Sequence, residues 1–255
     1  MNFVLQKASM WKRISAFLFD TILLVIMAIG FALALSAITG YSAKLDTMTD
    51  FYTQYGEEYG IDLSVTQTEY DAYSEEERAL YQEAINAMNA DSEVQGVYTT
   101  IVSLSFFIIS IGLLLAFLVV EVLPALLLKN GQSLGKKIFG IALMRVDGVR
   151  VTPFQVCVRA ILGKYTVETM IPICLLLLAF FGALDGFVGL AILVLLLVME
   201  VVVLIVSHSG QFVHDQFAQT VCVDYASQLI FETYDDLIAH KNRVHAEMVE
   251  RDKTY

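Results

Sequence analysis

Three carboxylates, Asp20, Glu121 and Glu200, lie within or at the edge of long apolar runs. A carboxylate in such a setting is costly, and it persists where it binds a cation, passes a proton or closes an ion pair. If the runs are helices rising 1.5 Å per residue, Asp20 lies roughly 9 Å, Glu200 roughly 10 Å and Glu121 roughly 11 Å from the same end of their helices. The three therefore reach a similar depth. At about 100° per residue, Ser103 and Ser110 share a face with Glu121, and Arg13 shares one with Asp20. Around Glu200 the same face offers Leu193, Leu197, Val203 and Leu204, so its partner comes from another helix or it is protonated. One reading makes Asp20, Glu121 and Glu200 an intramembrane cation or proton site. The other makes Asp20 a structural ion-pair member bonded to Arg13 or Arg159, with the two glutamates as neutral hydrogen-bonding groups. The structural reading is preferred for Asp20, and both stay open for the glutamates. Glu168 follows Lys164 by four residues, the spacing of a surface pair on an α-helix.

Other chemistries find no support. Gly131-Gln132-Ser133-Leu134-Gly135-Lys136-Lys137 is one residue too short between its glycines for a phosphate loop, and no Ser or Thr follows the lysine. Ser133 and Lys136 fit Ser-x-x-Lys, but the companion motifs of acylating enzymes are absent. His208, His214, His240 and His245 have no metal-ligand spacing. The expectation is no catalytic residue, no metal, no cofactor and no enzyme activity.

The elements that must carry these residues are membrane spans. The chain has 255 residues, 57% hydrophobic and 17% charged, too apolar for a soluble domain of this length. No charge occurs from Thr21 to Ala43 or from Val94 to Val120. Tyr165 to Leu184 holds only Glu168, and Gly186 to Ser207 only Glu200. Each stretch reaches about the 20 residues that cross a bilayer core, which gives four spans. The first is too long for a cleaved signal and carries Asp20. Residues 41–97 hold two basic against thirteen acidic residues, whereas 129–164 hold seven basic ones, from Lys129 to Lys164. The positive side faces the cytoplasm, so both termini are expected there, in a cell-membrane, multi-pass topology. No cysteine falls in the acidic segment, so no disulfide is expected. Neither is a nucleic-acid partner.

The organisation follows. Residues 1–40 are the N-terminus and first span, 41–97 an acidic extracytoplasmic helical loop, and 98–128 the second span. Residues 129–164 are a cytoplasmic loop, 165–184 and 186–207 the third and fourth spans, 208–226 a cytoplasmic motif segment, and 227–255 an amphipathic tail. The spacing predicts helix starts at Ser74 and Ser92, each with a capping-box pattern. Residues 141–152 read as a hairpin turning at Asp147-Gly148, and 220–224 as a short strand able to pair with it. An interfacial helix is expected over 154–164. Ile230, Leu237, Val244 and Met248 fall near one face of the tail. The fold class is all-α transmembrane, a four-helix bundle with a small cytoplasmic β-hairpin element and an extracytoplasmic helical loop.

Several motifs in order carry a resemblance. Arg13 and Asp20 open the first helix. Gly131, Gln132, Gly135 and Lys136 lie in the run from Gly131 to Gly140, Arg159 follows the hairpin, and Gln211, His214 and Asp215 precede Thr220 to Val223. This pattern, over about 11–40 and 98–225, resembles the RDD family, named for one Arg and two Asp. Arg13 and Asp20 match its first-helix pair, Asp215 its second aspartate, and Gly131 to Lys136 its Gly-Gln-[Ser/Thr]-Leu-Gly-Lys motif. Gly210 and Gln216 stand where the family often has basic residues, which removes such neighbours from Asp215, and Gln219 stands where it often has Gly. The resemblance implies a transporter-like membrane protein, with sodium/proton exchange in some members and regulation of membrane partners in others. The expected function is movement of a cation or protons. The alternative is a non-transporting regulator or assembly factor acting through protein–protein contacts. Besides the lipid bilayer, four helices are few for a lone transporter, so the expected partner is a second copy or another membrane protein.

A membrane-impermeant thiol reagent added to intact cells should miss Cys157 and Cys222 and should label a cysteine placed at Ile61. Labelling of Cys222 without permeabilisation would reverse the topology.

Overall fold

The computed structural model describes residues 5–128, 130–207 and 210–253. Lys129 and His208, both used above, lie outside the described residues. Four helices are long and apolar enough to cross a membrane: α1 (Met10–Thr39), α5 (Ser92–Leu127), α7 (Pro153–Phe180) and α8 (Gly186–Val206). Between α1 and α5 come α2 (Tyr41–Tyr59), α3 (Gln67–Asp71) and α4 (Glu75–Ala90). After α5 come α6 (Leu134–Ile138) and β1 (Ile141–Arg145). After α8 come α9 (Val213–Phe217), β2 (Thr220–Asp224) and α10 (Tyr234–Lys253). The chain divides into two compact units, 1–29 with 113–255, and 30–112.

In the smaller unit, the acidic segment folds into capped helices. Ser74 accepts from Glu77 N–H while Glu77 reaches back to the Ser74 N–H, as the sequence pattern predicts. Thr66 and Glu69 do the same for α3. The start of α5 differs from expectation by one residue: Asp91, not Ser92, accepts from the Glu93 N–H at 2.7 Å. Ala84 and Met88 are buried. Tyr70, Tyr73 and Tyr81 cluster edge-on, with the Arg78 guanidinium 5.7 Å from the Tyr70 ring centre. The tyrosine-rich composition thus supplies the packing that an acidic segment otherwise lacks.

In the larger unit, β1 and β2 pair antiparallel, with Leu143 opposite Cys222. Because strand side chains alternate, the ribbon has two apolar faces. Ile141, Leu143 and Cys222 pack with Ala16 of α1, Ala125 of α5 and Val156 of α7. Ala142, Met144, Val221 and Val223 pack against Leu5 and Ile230. The ribbon thus ties three spans to the chain outside them. The expected turn forms, with the Gly148 N–H donating to Arg145 O at 3.0 Å. The return arm expected over 149–152 forms no strand and makes isolated bridges, Met144 to Arg150 and Val149 to Phe231. Residues 6–8 instead bond along β2, through Ala8 N–H to Cys222 O and Asp224 N–H to Gln6 O. In the tail, Leu237 is buried while Met248 is exposed.

The expected interfacial helix is not separate: 153–180 is one helix. Its stretch Val158–Met170 is π-helical, and Thr166 and Thr169 each donate to a carbonyl five residues back. A shorter π segment, Leu118–Val122, interrupts α5 next to Pro124. At α-helical pitch, residues nine apart lie about 180° apart. The wider π turn lets Arg159 and Glu168 meet the same neighbour.

Close approach rather than side-chain bulk sets where α9 meets α7. A Cβ on Gly163 would lie 2.5 Å from the Cβ of His214, whereas one on Gly30 would meet nothing within 4 Å. Gly163→Ala should cost about 1–3 kcal/mol by overpacking, read as a loss of thermal stability in detergent, and Gly30→Ala should not. Equal behaviour of the two would refute this packing. Because Cys222 is only 6% exposed, its silence towards thiol reagents says little about topology; a cysteine at Leu229, 60% exposed, is the better reporter.

Candidate functional site

The motif residues converge where the ribbon meets the ends of α1, α5, α7 and α8. Asp20 is buried. Its carboxylate accepts from Ser133 Oγ at 2.5 Å and from the Gly135 N–H at 2.8 Å. The expected Arg13 or Arg159 is not its partner; the nearest cation is Lys136 Nζ, at 4.0 Å. The reason is steric. A Cβ on Gly135 would lie 2.5 Å from Ala16 O, so glycine alone lets this loop reach α1. Gly131 adopts a left-handed φ of 62°, and Gln132 donates to Ile141 O at 2.6 Å. The Gly-Gln-Ser-Leu-Gly-Lys run is therefore a structural clasp on Asp20.

Lys136 enters the network from the same turn. It donates to Ser133 Oγ at 2.9 Å and lies 3.5 Å from Glu121. Burial pulls its ammonium below the usual lysine range, against the opposing pull of Glu121. Glu121 is also bonded by Lys164. It is thus a paired carboxylate, not the neutral group that the second sequence reading assigned. Lys164 in turn is not the partner of Glu168.

Arg159 and Asp215 form the second buried pair, Nε to Oδ1 at 2.8 Å, with side chains 5% and 0% exposed. Burial alone would raise the Asp215 carboxyl, but the Arg159 guanidinium holds it well below the usual range. The basic residues missing around Asp215 in sequence are replaced by one 56 positions away. Arg159 Nη2 also lies 2.8 Å from His214 Nε2. A guanidinium only donates, so Nε2 accepts and the imidazole is neutral, with its proton on Nδ1. That proton is donated to Glu168, 2.7 Å away, which also accepts from the His214 N–H at 3.0 Å. Burial likewise pulls His214 below the usual imidazole value. The sequence reading missed Glu168 as a site residue because the spacing to Lys164 presumes an α-helix. Arg13 donates to Gly210 O at 2.5 Å and Cys222 O at 3.0 Å, fixing α1 to the motif segment, while Gln211 donates to Thr220 O.

Glu200 differs from the rest. It reaches the Val213 N–H and lies against Glu168. Its Oε2 is buried, and among the described residues it has no hydrogen-bond partner; the same holds for Arg13 Nε. Both residues line a cavity of about 570 Å³. Its lining also includes Asp20, Lys136, Arg159, Lys164, Glu168 and Asp215, together with apolar side chains of α1, α7 and α8. Of the three carboxylates first grouped by depth, Asp20 and Glu121 are committed to neighbours and only Glu200 keeps an open acceptor. Among the described residues no three His, Cys, Asp or Glu gather as a metal-binding group.

A family model described as the RDD family matches residues 7–219. No curated protein and no solved structure matches the chain.

Asp215→Asn should cost about 3–5 kcal/mol, since it strands Arg159 in a buried site. Asp20→Asn should cost less, about 1.5–3 kcal/mol, the scale of hydrogen bonds to a charged group. Chemical denaturation in detergent ranks the two, and the reverse ranking would overturn the assignment of partners.

Proposed function

Because the chain belongs to the RDD family, a family of multi-pass membrane proteins, we propose that it moves a monovalent cation or protons through the cavity at Glu200. The single observation that carries this reading is the open acceptor. The cluster counts four basic side chains, Arg13, Lys136, Arg159 and Lys164, and five carboxylates, Asp20, Glu121, Glu168, Glu200 and Asp215. His214 is neutral by its contacts. By number one carboxylate exceeds the cations, and Glu200 is the one whose Oε2 has no hydrogen-bond partner among the described residues. Two carboxylates in contact favour a shared proton or a bound cation. Reversible occupancy by either is the elementary step of transport.

The basic segments around the clasp and ribbon support a cytoplasmic position for this end of the spans, with both termini inside and the acidic unit outside. Transport by four spans favours a homo-oligomer. No step in this reading uses covalent catalysis, and the protein is proposed not to be an enzyme. The competing role is a regulator or assembly factor that carries no flux.

Purified protein in liposomes should dissipate an imposed sodium or proton gradient, and Glu200→Gln should lower the flux at least tenfold. Glu121→Gln should instead act chiefly through stability, since it leaves Lys136 and Lys164 without their carboxylate. Folded wild type that carries neither ion would transfer the function to the regulator reading.

A further inference from the structure

The cavity is far larger than its charge requires. A proton or a bare monovalent cation needs a few ångströms of space, whereas about 570 Å³ lies in the range that holds an organic molecule. Most of the lining residues are apolar, among them Ile14 and Phe17 from α1, Val167 from α7, and Leu193 and Leu197 from α8. A site built for a hydrated ion would present oxygens along its length. Of the carboxylates that line it, Asp20, Glu168 and Asp215 are bonded to neighbours, and Glu200 Oε2 has no partner among the described residues. The ring of Phe212 is stacked on His214 at an interplanar angle of 11°. That ring lines the same cavity, and an aromatic face attracts an organic cation.

Resting on the assignment of Glu200 as the cation-binding group, we infer that the natural occupant is a lipophilic organic monocation, an amine carrying an apolar body. Its ammonium supplies the donor that Glu200 Oε2 lacks and neutralises the unmatched carboxylate. Its apolar part covers the leucine-lined wall. The unpartnered Arg13 Nε faces an acceptor atom on the same molecule, such as a hydroxyl or carbonyl oxygen. Gly210, which accepts from Arg13, and Val213, which donates to Glu200, are three residues apart. At most about 10 Å of backbone separates them, so one small amphiphile can meet both groups. Because the walls belong to membrane spans, such a ligand can enter from the bilayer, where a lipophilic amine is concentrated.

Thermal unfolding of the full chain in detergent tests this, with decylammonium as the probe and decanol and decanoate as matched controls for tail length. Decylammonium should raise Tm saturably, by about 5 °C or more at a hundredfold excess over Kd, and the two controls should not. Glu200→Gln should abolish the rise. Leu193→Trp, which fills the wall and leaves every charge in place, should abolish it too, so the test stands if Glu200→Gln fails to fold. Equal shifts from decylammonium and decanol, or a decylammonium shift that survives in Leu193→Trp, would overturn the inference. If sodium or protons stabilise the wild type through Glu200 and decylammonium neither adds to nor competes with them, the organic ligand is refuted while ion transport stands. If none of the three acts through Glu200, both fail.

Discussion

A guanidinium that is 4% exposed dictates much of the arrangement around it. Arg159 sits on a membrane-spanning helix, where an unpaired charge would cost several kcal/mol. Its two donors go to Asp215 and His214, adjacent residues of one short helix. That helix must therefore pack against α7 at the closest range backbones allow, and Gly163 is what permits it. Once α9 is docked, β2 follows directly after it and is carried to β1, and the ribbon then fixes α1, α5 and α7 through its inner apolar face. The pair brings in little stability by itself, because desolvation offsets its attraction. What it fixes is which residues of α9 and α7 face each other.

The second pairing, Asp20 with the clasp from Ser133 to Lys136, works in the same way from the opposite side. It uses an oxygen, a backbone N–H and a buried ammonium rather than a guanidinium. Together with Lys164, the two clusters pair Asp20, Glu121 and Asp215 with cations, whereas Glu168 faces neutral His214 and Glu200 faces Glu168. The groups that hold the helices and the open acceptor are thus different. Asp20 and Asp215 are taken up by their partners, and Arg13 anchors α1 through two carbonyls while its Nε has no hydrogen-bond partner among the described residues. The residue left with an open acceptor, Glu200, is not one of the family's motif residues.

The π-helical stretch of α7 links the two roles. A five-residue hydrogen-bond spacing is tolerated in few places and concentrates at functional sites. Here it turns Arg159, Gly163 and Glu168 towards the same histidine. Neutral His214 then bridges the structural pair to the Glu168–Glu200 carboxylates, so Glu200 belongs to the same chain of contacts as the groups that hold the helices together.

The four spans, the acidic unit with its helix caps and the two short strands could be read from sequence alone. Each rests on local pattern: uninterrupted apolar length, a Ser-x-x-Glu signal, alternation over five residues. The convergence of Arg13, Asp20, Gly135, Arg159 and Asp215 was legible only as a set of motifs in order. Which partner each takes was not. Asp20 bonds a loop 113 residues away rather than an arginine one turn-pair along its own helix. Glu168 serves His214 rather than Lys164, because the helix there winds wider than the periodicity assumes. Pairing between distant charges is set by backbone approach at Gly135 and Gly163, and no local spacing encodes that. The tertiary structure alone decided that, of three carboxylates at one depth, Glu200 is the one whose acceptor stays open, because the charges that satisfy the other two arrive from α6 and α7.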